Sequence, residues 1–477
     1  MLFNSFTFLI FFILVFFIYW FPLKNKTKVQ NVFILLSSYV FYAWWDWRFL
    51  GLIVASTIVD YFIGNHLGKQ QAVKCRKILL GISIIFNLGL LCYFKYANFF
   101  IENWILAWDS VGVKTNVTSL QIILPVGISF YTFQTLSYTI DVYRKNLKPT
   151  HNFINFAAFV AFFPQLVAGP IERASHLLPQ FTLNRKFDYN YATSGLYLIV
   201  WGLFKKIVIA DTCATYVNTI FDNYETMNAL SLLLGAIYFA FQIYGDFSGY
   251  SDIAIGLSRL LGFDLKQNFN KPYFSRNIAE FWRRWHISLS TWFRDYLYIP
   301  LGGSQGTKVL KVRNVFIIFL VSGFWHGANW TFVFWGALNA FYFLPLVLLN
   351  TNRKHLDAVS IKANKAGLIT FYDIVTTFLL VTLAWVFFRA PTITDAFAYL
   401  IRLFSNHNFS IQYLTIERYN IEAILLLFLF TVLEWCSRNY EHPFKGRFNN
   451  LLFVIVIVLI ITLGVYSEHA NFIYFQF

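Results

Sequence analysis

Apolar runs follow one another along almost the whole chain, and their length decides what it can fold into. They are Phe3–Trp20, Val32–Ala43, Leu50–Ile63, Ile78–Tyr93, Ile122–Ile140, Leu196–Ala210, Leu230–Tyr244, Asn314–Trp325, Thr331–Leu349, Leu368–Phe388, Ile421–Cys436 and Leu451–Val465. Crossing ~30 Å of hydrocarbon takes ~20 apolar residues as a helix. Lipid offers the main chain no hydrogen-bond partners, so such runs must satisfy their own N–H and C=O groups. With 58% hydrophobic and 13% charged residues, a soluble globular domain and a disordered chain are both excluded. The expected fold class is an all-α polytopic membrane protein with about eleven transmembrane helices. Shorter or interrupted runs are expected to be re-entrant or interfacial helices. The first run lacks a basic leader and a small-residue cleavage site, so it is expected to stay as the first helix.

A net charge of +15 suggests nucleic acid until its distribution is read. Lys24, Lys26 and Lys28 follow the first run; Lys69, Lys74, Arg76 and Lys77 follow the third; Arg144, Lys145 and Lys148 follow the fifth. Further clusters at Arg173–Lys186, Lys308–Arg313, Arg353–Lys365 and Arg438–Arg447 alternate with charge-poor loops. Basic loops on the cytoplasmic side place both termini outside the plasma membrane and leave no reason to invoke nucleic acid. The basic face would also suit an anionic donor. Cys75, Cys92, Cys213 and Cys436 are scattered, so no metal or disulfide is expected.

Polar residues gather in the middle of the chain. His326 lies within Ser322-Gly-Phe-Trp-His-Gly-Ala-Asn-Trp330, and an ionisable group at such depth is costly enough to imply a function. An imidazole kept neutral there can accept a proton, and the glycines on either side allow close approach. A second block carries Asp246-Phe-Ser-Gly-Tyr-Ser-Asp252, Asn268-Phe-Asn-Lys-Pro-Tyr273 and Phe281-Trp-Arg-Arg-Trp-His-Ile-Ser-Leu-Ser290. Read as one helix, Trp282, His286 and Ser290 share a face and Arg283 and Arg284 point elsewhere. Such a helix fits the cytoplasmic boundary, where the arginines either hold phosphate groups or reach to lipid headgroups. Asp246 and Asp252 flank a Gly-Tyr turn and are expected to pair with His286 or an arginine, or to cap a re-entrant helix. Glu172 is expected to pair with Arg173 or a neighbouring arginine, and the stretch between Ala97 and Ser119 to be an interfacial segment.

The blocks Leu124-Pro-Val-Gly-Ile-Ser-Phe130, Phe163-Pro-Gln-Leu-Val-Ala-Gly-Pro-Ile171, Trp282-Arg-Arg-Trp-His286 and Gly323-Phe-Trp-His-Gly327 resemble the membrane-bound O-acyltransferase (MBOAT) family. Within it they resemble the bacterial branch of alginate O-acetyltransferase membrane subunits and teichoic acid D-alanyl transfer proteins. Phe387-Phe-Arg-Ala-Pro391 and the aromatic tail Phe472–Phe477 are closest to the alginate type.

The resemblance implies one MBOAT membrane domain over residues 1–477. It would divide into anchor helices (1–66), a catalytic core (120–340) around a central funnel, and C-terminal helices with the tail (367–477). It implies that His326 is the central histidine and general base, or transient acyl carrier, and that His286 is the second, which with nearby N–H donors would orient the donor or stabilise the oxyanion. Trp282, Arg283, Arg284 and Asn270 would bind the donor, and Asp246, Ser290, Trp325 and Asn329 would support the cavity. The implied reaction passes acetyl from cytoplasmic acetyl-CoA across the membrane for O-acetylation of an extracellular polysaccharide, with an exported SGNH-type acyltransferase as partner. Tyr474 resembles the acyl-accepting tyrosine on a small partner peptide of the D-alanyl system, and its alternative role is an aromatic interface anchor. D-Alanyl transfer from a carrier protein to teichoic acid is the alternative function. A polysaccharide transporter is a third reading, disfavoured because the polar residues cluster around two histidines.

Overall fold

The computed structural model describes residues 1–357, 359, 365–406, 408, 410, 412, 422–445, 449–466 and 472–473. Regular structure among these residues is helical throughout. In chain order the helices are α1 (Phe6–Trp20), α2 (Thr27–Ala43), α3 (Leu50–Lys69), α4 (Val73–Leu91), α5 (Ala97–Ser110), α6 (Ile128–Tyr143), α7 (Phe153–Ala161), α8 (Phe163–Leu166), α9 (Ala174–Leu177) and α10 (Tyr189–Leu203). There follow α11 (Asp211–Asp222), α12 (Ala229–Leu260), α13 (Ile278–Arg284), α14 (Ile287–Phe293), α15 (Lys308–His326) and α16 (Trp330–Leu348). The last are α17 (Lys365–Arg389), α18 (Ile393–Ser405), α19 (Glu422–Cys436) and α20 (Asn449–Leu463).

Among the described residues, six helical stretches are long and apolar enough to cross a membrane: 47–69, 73–110, 229–260, 308–326, 330–348 and 367–389. Shorter apolar helices are Phe6–Trp20, Ala423–Cys436 and Asn449–Leu463. Residues 73–110 form one continuous helix, because a π-helical turn at Cys92–Tyr96 joins α4 to α5. The stretch expected to be a separate interfacial segment therefore begins as the end of a span.

The chain divides into two compact units, Met1–Gly195 with Ala254–Lys266, and Leu196–Ile253 with Gln267–Phe477. In the first, α3, α4 and α6 pack around buried polar groups. Ser83 Oγ and Asn87 Nδ2 donate to the two carboxylate oxygens of Asp60 at 2.6 and 2.8 Å. Ser56 Oγ donates to Asn87 Oδ1 at 2.8 Å. In lipid such groups need partners on neighbouring helices, which fixes how the helices face each other. Gly127 explains the Leu124–Phe130 block: it caps α6 at φ +77°, and a Cβ there would lie 2.6 Å from the Leu166 carbonyl oxygen. Only glycine takes that backbone without strain.

The turn after the Phe163–Ile171 block corrects one expectation. Glu172 pairs with His176 (Nδ1···Oε2, 2.8 Å) and accepts the Lys266 N–H at 2.6 Å; the expected arginine pair gives way to partners that satisfy both carboxylate oxygens. His176 Nε2 also lies 3.4 Å from Asp264. The Asp264 and Glu172 carboxylates together push the His176 imidazole up to about 9. A raised folded-state value stabilises the fold fully below the ordinary ~6.5 and is lost as pH rises through about 9. Thermal unfolding of detergent-solubilised protein between pH 6 and 10 should show that loss, and His176→Gln should flatten it.

In the second unit α15 and α16 form a hairpin whose backbones touch. A Cβ on Gly323 would collide with the Phe332 carbonyl oxygen, and one on Gly336 with that of Phe319. Small residues of this kind allow close helix contact in membranes. Gly336→Ala should therefore cost about 1–3 kcal/mol through overpacking. Gly51→Ala, where a Cβ meets nothing within 4 Å, should leave the melting temperature unchanged or raise it.

Candidate active site

His326 is the last residue of α15, at the turn into α16, and is 3% exposed. The Ser322–Trp330 stretch is thus the corner between two spans rather than the middle of one. The Gly323–Gly336 contact holds the corner shut. Rings enclose the imidazole: Trp325 at 5.0 Å between centroids, Trp335 at 5.3 Å and Phe388 at 5.5 Å. Asn329 does not reach this cage. It caps α16 by accepting the Thr331 N–H at 3.0 Å and donates to the Pro391 carbonyl at 3.1 Å.

His286 is the second member of the cage, with its ring centroid 6.4 Å from that of His326 and 6.1 Å from Trp325. The single helix expected over residues 281–290 is broken here. α13 ends at Arg284, and His286 takes the left-handed conformation (φ 43°, ψ 55°) as the cap of α14. Such backbone is uncommon outside glycine and persists only where surroundings enforce it. The enforcement comes from residues 268–270. The Asn270 N–H donates to the Arg284 carbonyl and the Ile287 N–H to the Asn268 carbonyl, each at 2.9 Å. Trp282, His286 and Ser290 therefore do not share one helical face.

Asn268 also sets the chemistry of His286. Its Oδ1 accepts from Ser288 Oγ at 2.8 Å and from the Ser288 main-chain N–H at 3.2 Å, which identifies it as the oxygen. His286 Nδ1, 3.1 Å away, must then carry the proton and donate. In the neutral ring this leaves Nε2 as an acceptor. Nε2 is buried and has no hydrogen-bond partner among the described residues. Burial pushes the imidazole down to about 3, so it is uncharged throughout the neutral range. His286 is built to accept a hydrogen bond, which argues against its donating to an oxyanion.

Beside the cage lies a set of buried charges. Lys206 Nζ sits 2.7 Å from Asp246 Oδ1 and 2.8 Å from Asp211 Oδ1. Lys205 Nζ is 3.0 Å from Asp252 and 3.5 Å from Glu434. The residues from Asp246 to Asp252 belong to the uninterrupted helix α12, so no turn or re-entrant end occurs there. Asp246 pairs with a lysine instead of His286 or an arginine, because the π-helical segment Phe204–Ala210 presents both lysines to α12. Asp246 Oδ2 also accepts the Ile473 N–H at 2.7 Å. Phe472 packs on Tyr250 at 4.9 Å and Phe247 at 6.1 Å, and Phe247 stands edge-on to His286 at 4.7 Å. Tyr474 lies outside the described residues.

The residues expected to bind the donor fall into two cavities. Trp282 and Ser290 line an apolar cavity of about 210 Å³ with Leu289, Phe319, Ser322 and Arg294. Ser290 is four residues after His286 and Ser322 four before His326, so this cavity ends one helical turn from each histidine. Trp282 Nε1 is buried there with no hydrogen-bond partner among the described residues. Arg283 donates to the carbonyls of Asn352 and His355 at 2.8 and 2.7 Å, and Asn352 lines the same cavity. Asn270 and Arg284 line a separate polar cavity. Arg284 is held by Glu280, its Nη2 2.8 Å from Oε1. Among the described residues no group of His, Cys, Asp and Glu is arranged to hold a metal ion.

The sequence model of the membrane-bound O-acyltransferase family matches residues 80–375. The chain belongs to this family. It is 39% identical to the probable alginate O-acetylase AlgI of Azotobacter vinelandii, over 88% of this chain and 83% of that one. It is 33% identical to the peptidoglycan O-acetyltransferase of Helicobacter pylori, over 100% and 98%. It is 30% identical to the teichoic acid D-alanyltransferase of Streptococcus thermophilus, over 54% and 65%. The protein is a membrane O-acyltransferase.

Lys205, Lys206 and Glu434 were not singled out by the sequence reading, and Asn268 was expected, with Asn270, to satisfy backbone inside the cavity. The lysines had a signal: two adjacent charges inside the apolar run Leu196–Ala210 are as costly as a buried histidine. The side-chain contact of Asn268 with His286 had no signal, because it depends on the fold bringing the two together. Asn268→Ala should remove the acceptor for His286 Nδ1–H and slow acyl transfer about 10- to 100-fold, the equivalent of ~1–3 kcal/mol for an unsatisfied buried donor. Transfer rates compared with melting temperature would check this.

Proposed function

We propose that this enzyme moves an acetyl group from cytoplasmic acetyl-CoA across the plasma membrane for O-acetylation of an extracellular polysaccharide, with an exported SGNH-type acyltransferase completing the transfer. The observation that carries the reading is the pair of buried imidazoles, 6.4 Å apart, one helical turn from residues that line an apolar cavity. The relatives add weight: the names of the alginate and peptidoglycan enzymes specify acetyl transfer, and those matches cover more of the chain than the D-alanyltransferase match does. The basic loops, taken as cytoplasmic, place both termini outside.

In this proposal the thioester arm of the donor lies in the cavity of Trp282 and Ser290, with the Trp282 indole N–H facing the thioester oxygen. Arg283 acts there indirectly, by holding Asn352. An acceptor hydroxyl attacks the carbonyl carbon; the C–O bond forms, the C–S bond breaks, and the hydroxyl proton passes to His326. His326 returns that proton to the departing thiolate of CoA. His286 Nε2, its tautomer fixed by Asn268, accepts a hydrogen bond from an amide N–H of the donor's thioester arm and so orients the donor. Trp325, between the two imidazoles, keeps water away. Asp246 holds the tail by the Ile473 N–H, and Tyr474 takes the acetyl group on its phenol before onward transfer.

His326→Ala should lower acetyl transfer from labelled acetyl-CoA by about 10²- to 10⁴-fold, the usual contribution of a general base, with the melting temperature retained. An unchanged rate would remove His326 from the chemistry. Tyr474→Phe should abolish label on the protein and polysaccharide acetylation in cells; full acetylation would exclude the relay. Labelling from a D-alanyl carrier protein but not from acetyl-CoA would favour the D-alanyl reaction.

A further inference from the structure

A second pair of cavities, apart from the one assigned to the donor, shares two residues and changes character from one end to the other. The larger, of about 450 Å³, is apolar and lies among α12, α17 and α19, with Phe241, Ile374, Val375, Phe378 and Thr431 in its wall. It opens on the protein's outer surface: Phe371 is 56% exposed, Phe428 69% and Val375 37%. α17 contains a membrane-length apolar span and α19 is one of the shorter apolar helices, so in a bilayer the opening meets hydrocarbon.

The other cavity, of about 410 Å³, is polar. Lys271 and Phe274 line both. Three cations line the polar cavity, Lys271, Arg284 and Arg438, against the acids Asp357 and Glu441. Asp357 is paired with Arg276 at 3.1 Å, and Arg284 with Glu280. Lys271 and Arg438 are held differently. Lys271 Nζ donates to the Tyr440 carbonyl. Arg438 donates to the carbonyls of Val359 and Trp435 at 3.0 and 3.1 Å and lies 4.5 Å over the Trp435 ring. Carbonyl oxygens position these cations without cancelling their charge, and each keeps donors for a further acceptor.

An apolar slot open to hydrocarbon borders, at Lys271 and Phe274, a polar chamber in which Lys271 and Arg438 form no ion pair among the described residues, Glu434, Asp252 and Glu441 attracting Lys271 only at longer range; such a pair of cavities matches one kind of ligand. We infer that these two cavities form a binding site for one anionic glycerophospholipid, its acyl chain in the slot of Ile374, Val375 and Thr431 and its phosphate beside Lys271 and Arg438. The site is independent of the acyl-transfer chemistry proposed above. Cationic pockets between membrane helices recognise anionic headgroups in this way, and the slot adds hydrophobic burial along the tail.

The test is native mass spectrometry of the delipidated full-length protein, titrated with phosphatidylglycerol or with phosphatidylcholine of the same chains. One phosphatidylglycerol should bind saturably and in preference to phosphatidylcholine. Val375→Trp, which plugs the slot from its exposed side, should weaken both lipids. Arg438→Gln should weaken phosphatidylglycerol alone by about five-fold, the equivalent of the ~1 kcal/mol one cation contributes near anionic headgroups. Arg438→Lys should restore the preference, which separates lost charge from lost support of Trp435. Equal, unsaturable uptake of both lipids by wild type and Val375→Trp would mean annular lipid only and overturn the inference. Displacement of phosphatidylglycerol by inorganic phosphate, with Val375→Trp without effect, would overturn it as well, by showing a free-anion site.

Discussion

Two lysines buried at the contact between the Phe204–Ala210 segment and α12 organise the second of the two compact units. An ammonium removed from water is costly unless opposite charge and hydrogen bonds surround it. Each lysine here has two carboxylates within 3.5 Å. Such contacts need the backbones to approach closely, and glycine permits it. A Cβ on Gly245 would lie 2.8 Å from the Lys205 carbonyl oxygen, and one on Gly249 would lie 2.6 Å from that of Gly202. Glu434 brings α19 into the same network through Lys205 and through Tyr244, whose hydroxyl donates to it at 2.6 Å. Separate helices are thereby tied to α12 at the level of the histidines.

The reactive centre depends on a second constraint, the break between α13 and α14. A continuous helix would carry His286 round with its neighbours. The left-handed turn, enforced by Asn268 and Asn270, aims the ring at Phe247, Trp325 and His326 instead. Trp285, immediately before the break, packs on Phe269 at 5.1 Å and Trp385 at 5.0 Å. Aromatic rings thus border both imidazoles, and Asn268 is a polar side chain that meets His286.

The helical class and the membrane setting were legible because each rests on local signals, run length and apolar composition. The two histidines were named together from a family resemblance, and the structure brings them into one cage. Legibility ended where the path of the chain decides. Helical spacing joined Trp282, His286 and Ser290 on one face, yet the backbone turns over at His286. Asp246 read as a cap or a histidine partner, since nothing in Asp246–Asp252 announces that Lys206 approaches from a different segment. Trp282 and Arg284, both expected to bind the donor, are two apart in sequence and line different cavities, a separation that only the packing of α15 and of residues 438–441 creates.

Asp246 holds the tail through the amide of Ile473 and not through a side chain. An amide is common to nineteen of the twenty residue types, so this grip is blind to sequence and asks only that proline be absent there. Specificity falls to the Phe472 ring, seated on Tyr250 and Phe247. Among the described residues this contact uses one main-chain donor and one aromatic ring, neither of which depends on covalent linkage, so a short peptide carrying both would make the same contact.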